Sequence, residues 1–159
     1  MALSALTVEE FVGRLQGEGR LLGLDPGTKT IGLAISDSSW AIASPVRTLM
    51  RTKFTQDAQE LLGYARTEDV KGLIIGLPLN MDGSEGPRAQ STRAFVRNLF
   101  ALSDLPVLLQ DERLSTFEAD QAMRGANMSR AKRAAKIDAL AAGVILQSAL
   151  DRLRAVRDG

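Results

Sequence analysis

The chain predicts an α/β fold: a mixed five-stranded sheet, three antiparallel strands followed by βα units, with helices on both faces. Three observations predict it. Apolar runs at 20–25, 30–36 and 41–48 follow one another with only turns between them. Two later apolar runs, 71–76 and 106–110, are each preceded by a segment of helical period. A long final segment, about 130–154, reads as one more helix. Meander strands that feed βα units give a sheet buried on both faces.

The elements follow in order. Residues 7–16 form a short helix capped by Thr7, with Glu10 as capping-box partner, and Gly17 and Gly19 end it. Leu21–Leu24 leads into Asp25, then Pro26, Gly27 and Thr28 make a tight turn before the run from Ile31. This is a β-hairpin with a carboxylate at its mouth, and small turn residues let a phosphate or metal approach the backbone. The third strand is interrupted by Pro45. Residues 53–66 place Phe54, Ala58, Leu61, Leu62 and Ala65 on one helix face. Residues 78–86 are a polar loop, and Pro87 suits the first turn of a helix to about Leu102. Asp111 and Glu112 stand just past the fifth strand; Ser115 and Glu118 form a capping box opening a helix to about Arg124. No repeat or linker interrupts the chain, so 1–159 reads as one domain, with 1–19 an N-terminal helical extension.

Composition removes several chemistries. The chain of 159 residues has no Cys and no His. Thiol and imidazole catalysis, and zinc sites built on either ligand, are excluded. A metal must rest on oxygen ligands, which favours Mg²⁺ or Mn²⁺. No apolar run approaches the ~20 residues of a membrane span, and 1–20 lacks a secretory pattern, so a cytoplasmic location without membrane contact is expected. Net charge is only +1, but residues 121–137 hold Arg124, Arg130, Lys132, Arg133 and Lys136 with no acid, and 87–97 hold Arg88, Arg93 and Arg97 with no acid. Each cluster has two readings, a solvated helix face or a track for a phosphate backbone. Aromatic residues are 4% of the chain, against a single-strand binder built on stacking.

Asp25, Glu112 and Asp138 occupy similarly marked segments, two at strand ends and one on the last helix beside Ala141 and Ala142. Ligands of open α/β sheets gather at strand ends, and three acids from separate elements suit a metal site. Taken singly, each has a plainer reading: a turn-capping Asp25, a Glu112 paired with Arg113, an Asp138 facing a helix dipole.

Four blocks then resemble one family. They are Gly-Leu-Asp-Pro-Gly-Thr-Lys-Thr-Ile-Gly (23–32), Gly-Leu-Pro-Leu-Asn-Met-Asp-Gly-Ser-Glu-Gly-Pro-Arg-Ala (76–89), Asp-Glu-Arg-Leu-Ser-Thr (111–116) and Lys-Ile-Asp-Ala-Leu-Ala-Ala (136–142). In this order and spacing they resemble the RuvX/YqgF family of the ribonuclease H-like superfamily, over about residues 20–152. The resemblance implies a ribonuclease H-like fold and a divalent-metal-dependent nuclease. Its activity would be either 5′-end processing of the small-subunit (16S) ribosomal RNA precursor or resolution of Holliday junctions. It implies Asp25, Glu112 and Asp138 as catalytic acids holding two Mg²⁺ or Mn²⁺ ions, and Lys29 as a phosphate contact. Thr30 stands where many members carry Arg, and the family usually starts close to its first strand.

Two ions ~4 Å apart can activate water, neutralise the phosphate and stabilise the leaving oxygen. Thr28 and Lys29 would hold the scissile phosphate. Asn80, Arg88, Arg113, Lys132, Arg133 and Lys136 are the further candidates for nucleic-acid contact, whether RNA precursor or branched DNA. The plainer reading of 78–86 is a surface loop, and Ser115 reads as a helix cap. A monomer or a homodimer is compatible with processing, whereas symmetric junction cleavage calls for a two-fold dimer. Two other classes compete. ATP-dependent phosphotransfer on an actin-like fold shares the Asp-x-Gly-Thr turn but needs two domains. A non-catalytic nucleic-acid-binding module would not need all three acids.

Overall fold

The structure is a computed structural model that describes residues 5–115, 121, 123 and 137–159, except for the side chains of residues 137 and 138. The elements are α1 (Val8–Leu15), β1 (Leu21–Pro26), β2 (Thr30–Ser36), β3 (Ala43–Met50), α2 (Phe54–Thr67), β4 (Gly72–Leu77), α3 (Pro87–Phe100), β5 (Val107–Asp111) and α4 (Ile137–Asp158). A single 3₁₀ turn, Glu112–Leu114, follows β5 directly.

The sheet order is β3-β2-β1-β4-β5. The first three strands are antiparallel, and β4 and β5 run parallel to β1, as the sequence predicts. Pro45 is accommodated because β3 is an edge strand and its register against β2 shifts between Leu33 and Ala34. A proline lacks the N–H of a central ladder, and a bulge at an edge removes the need for it. The strand spans Ala43–Met50 rather than 41–48. Asp37 explains the later start: its carboxylate accepts the N–H groups of Ala41 (2.8 Å) and Ile42 (2.9 Å), holding a turn where a strand was expected.

Period-two alternation divides β1 between two cores. Leu22 and Leu24 pack with Leu61, Ile75, Phe95 and Leu99 under α2 and α3. Leu21 packs with Phe11, Ile74, Leu146 and Leu150 under α1 and α4. By the same alternation Gly23 and Asp25 face α4. A Cβ on Gly23 would stand 2.8 Å from Leu146 Cβ and 3.4 Å from the Ala142 carbonyl, so this glycine lets α4 lie directly on the central strand.

The N-terminal extension belongs to this second core. Its predicted capping box is present: Glu10 N–H donates to Thr7 Oγ1 (3.1 Å) and Thr7 N–H to Glu10 Oε1 (2.9 Å). Phe11 is fully buried, its ring lying where a side chain on Gly72 would stand. Leu6 adds a parallel bridge to Leu108 on the β5 edge.

Ser115 is extended and ends the 3₁₀ turn after β5. Its hydroxyl donates to the Glu112 carbonyl (2.9 Å) and closes the 3₁₀ turn. The rest of the predicted helix to Arg124, including Glu118, lies outside the described residues except for positions 121 and 123, which are helical. Among the described residues no helix is long and apolar enough to cross a membrane.

A candidate active site at the strand ends

Asp25 ends the apolar part of β1, paired with Gly32 across the hairpin. Glu112 is the first residue of the turn after β5. These strands are not neighbours, because β4 lies between them. The two carboxyls nevertheless meet and share a hydrogen bond. Glu112 reaches Asp25 over Gly76, the penultimate residue of β4. A Cβ there would stand 2.9 Å from Glu112 Oε1 and 2.7 Å from Ile145 Cδ1. Only a residue without a side chain leaves room for both.

The electrostatics follow from the geometry. Burial, then the charge of Asp25 and the hydrogen bond with it, push the Glu112 carboxyl up to about 7. The charge of Asp111 adds to the rise, and Arg88 opposes it. Asp111 itself is held below the usual carboxylate range, chiefly by the hydrogen bond from the Arg113 side chain. Two neighbouring carboxyls in a partly buried place share a proton or take a cation. That donor set, all oxygen in a chain without His or Cys, fits Mg²⁺ or Mn²⁺. Among the described residues no third metal-ligating side chain joins the pair.

Asp138 is in the first turn of α4. The other end of α4 is fixed by Arg157, whose guanidinium donates to the Gly17 carbonyl before β1 (3.3 Å) and to the Ser39 carbonyl after β2 (2.8 Å), both at the end of the sheet where β1 starts. The helix therefore runs antiparallel to β1, and its first turn lies at the Asp25 end of the sheet. The Asp138 side chain lies outside what the structure describes, as do the predicted contacts Lys132, Arg133 and Lys136.

The other predicted residues divide. Thr28 and Lys29 are exposed at the tip of the hairpin that follows Asp25. Arg88 is exposed on the first turn of α3, close enough for its charge to act on Glu112. Asn80 is spent on its own loop: its Nδ2 donates to Ser84 Oγ (2.9 Å) and its N–H to the Ser84 carbonyl (2.9 Å). Arg113 is a strut. It binds the Asp111 carboxylate through Nε and Nη2 and donates from Nη1 to the Met81 carbonyl (3.1 Å). The alternative reading of Glu112 as an Arg113 partner is thus not the arrangement found; Asp111 takes that place.

Sequence reasoning missed Gly76 and Arg51. Gly76 had a signal, an isolated glycine closing the apolar run of β4. Arg51 had none, since its partners Gly27, Lys29 and Phe95 are remote in sequence.

Comparison with known proteins gives the family and the fold. A family described as "RuvX: Holliday junction resolvase" matches residues 19–152. A relative from Agrobacterium fabrum is 54% identical over 97% of this chain and 97% of its own length. One from Paracoccus denitrificans is 56% identical over 92% and 93%. Both carry the provisional name pre-16S rRNA nuclease. The first of these spans nearly the whole chain, so similarity extends into the N-terminal extension. Among solved structures, Thermus thermophilus RuvC in complex with a Holliday junction substrate aligns with TM-score 0.59 and 14% identity, covering 84% of this chain and 94% of RuvC. At that identity the likeness speaks for the fold alone.

Proposed function

From the premise that the chain belongs to the RuvX family, we propose that it is a divalent-metal-dependent nuclease acting on structured nucleic acid. Its substrate on this reading is pre-16S rRNA, which the name of its relatives specifies, cut at the 5′ end. The observation that supports it is the Asp25–Glu112 carboxyl pair, built across β4 over Gly76.

Asp25 and Glu112, with Asp138 as the expected third ligand, would hold two Mg²⁺ or Mn²⁺ ions, which would neutralise the phosphate and lower the pKa of the attacking water. The chain's own groups do the rest. Lys29, an exposed point charge at the hairpin tip, would hold a non-bridging phosphate oxygen. Arg88 faces the carboxylates from α3 and balances their charge as substrate enters. Glu112, pushed up to about 7, is the carboxyl whose proton must leave before the ligand set is complete. In hydrolysis the water oxygen bonds to phosphorus, the bond to one ester oxygen breaks, and that oxygen leaves with a proton.

Junction resolution is the second reading, favoured by the family's description and the RuvC-like fold. Purified protein offered a pre-16S rRNA 5′ fragment and a four-way DNA junction, each with Mg²⁺, Mn²⁺ or EDTA, separates the two. A defined metal-dependent cut in the RNA supports processing. Paired symmetric nicks in the junction, together with a two-fold dimer in solution, support resolution. A monomer that cuts only RNA removes the second reading.

A further inference from the structure

A second feature adjoins the carboxylates. A cleft of about 370 Å³ lies between the β1–β2 turn and α3, and its wall includes Gly27, Thr28, Arg51, Arg88, Ser91 and Phe95. It starts beside Asp25, at Pro26, and Arg88 joins it to the carboxylate pair. Arg51 grips the turn from both ends: its N–H donates to the Lys29 carbonyl (2.9 Å) and its Nη1 to the Gly27 carbonyl (2.5 Å). Its guanidinium also lies over the Phe95 ring, 5.5 Å from the centroid. Among the described residues no carboxylate side chain lines the cleft. Its walls carry two guanidinium groups and several hydroxyls, the donor set that phosphate oxygens take.

We propose that this cleft seats the backbone phosphate of the single strand next to the scissile bond, with Arg51 and Arg88 as its charged contacts. A guanidinium keeps donors to spare after one hydrogen bond to a carbonyl, so Arg51 can hold the turn and a phosphate together. A cleft of this volume takes one backbone phosphate with its sugar. The proposal rests on the nuclease reading and adds to it the path of the substrate. The phosphodiester is common to RNA and DNA.

The test is binding of a short single-stranded RNA, and DNA of the same sequence, to the full chain in EDTA over a salt series. Arg51→Met keeps the contact with Phe95 and removes the charge. It should weaken binding several-fold on both strands and flatten the slope of log K against log salt by about 0.7, one single-strand phosphate contact. Ser91→Asp puts a carboxylate on an exposed position of the opposite wall, away from the turn, and should weaken binding similarly. Arg47→Gln, which breaks a surface pair with Glu60 outside the cleft, is the control for net charge and should leave the slope unchanged.

Parental slopes in a folded Arg51→Met protein and in Ser91→Asp would overturn the proposal. So would a loss on RNA alone, which would assign the cleft to the sugar hydroxyl. If Arg51→Met fails to fold, Ser91→Asp decides the matter by itself. A parent protein that binds and cleaves while Ser91→Asp does so equally sinks only the cleft; a parent that neither binds nor cleaves sinks the nuclease reading.

Discussion

Gly76 and Glu112 share one small volume: a Cβ on Gly76 would stand 2.9 Å from Glu112 Oε1. That vacancy on β4 lets an acid from the edge strand reach Asp25 on the central one. Gly76→Ala should therefore displace Glu112 and also press on Ile145. Overpacking of this kind costs about 1–3 kcal/mol. A thermal melt should show a folded, modestly destabilised protein, and cleavage should fall by at least about tenfold, since a displaced acid loses its geometry. Full activity in Gly76→Ala would mean that Glu112 is not held as described.

Glu112 also predicts a pH dependence. Its carboxyl is raised from 4.5 to about 7 in the fold, so the native state binds more protons than the unfolded one across that interval. The contribution of Glu112 to the stability of the metal-free protein is therefore fully present below the lower value and declines as pH rises through about 7. Melting temperatures in EDTA from acid to mildly alkaline pH should show this decline, and Glu112→Gln should flatten it. Mg²⁺ should raise the melting temperature more above pH 7 than below it, because the cation takes the place of the shared proton.

Phe11 is fully buried between α1, β4 and α4, although it precedes the residues matched by the family. Phe11→Ala should cost about 3–5 kcal/mol, the range for deleting a buried ring. Urea unfolding measures it. A loss below about 1 kcal/mol would show α1 to be an appendage.

Arg113 predicts a split between stability and order. Its pair with Asp111 is open to solvent on the arginine side, so screening leaves it a small contribution to stability. Its bond to the Met81 carbonyl, however, ties the loop of residues 78–86 to the 3₁₀ turn that carries Glu112. Arg113→Ala should leave the melting temperature nearly unchanged while amide exchange at Gly83 and Ser84 accelerates. Unchanged exchange would show that the loop's own bonds, Gly83 N–H to the Asn80 carbonyl and Ser84 N–H to Asp82, suffice.

The hairpin from Leu21 to Ser36 was legible because an apolar run, a Pro-Gly-Thr turn and a second run are local signals. The helix of residues 54–67 was legible from its period, and Ala58, Leu61, Leu62 and Ala65 are buried as expected. Strand order, and hence which acids meet, depends on non-local pairing: β4 inserts between β1 and β5, and nothing near residue 112 encodes that. Arg51 was invisible for the same reason, as all its contacts are made across the sheet or to α3. Asp57 is the converse case. It is polar in a helix pattern, yet buried, because its carboxylate accepts the Thr52 N–H and hydroxyl and anchors the start of α2.

On the proposed function, the Asp25–Glu112 pair is the seat of metal-dependent cleavage. Cleavage of the RNA precursor fragment by parent and Asp25→Asn protein, at matched binding saturation and with Mg²⁺, Mn²⁺ or EDTA, tests it most directly. The parent should cut in either metal and not in EDTA. Asp25→Asn should bind at least as tightly, having lost a repulsive charge, and should not cut. Cutting by Asp25→Asn at the parental rate, or parental cutting undiminished by EDTA, would contradict this reading.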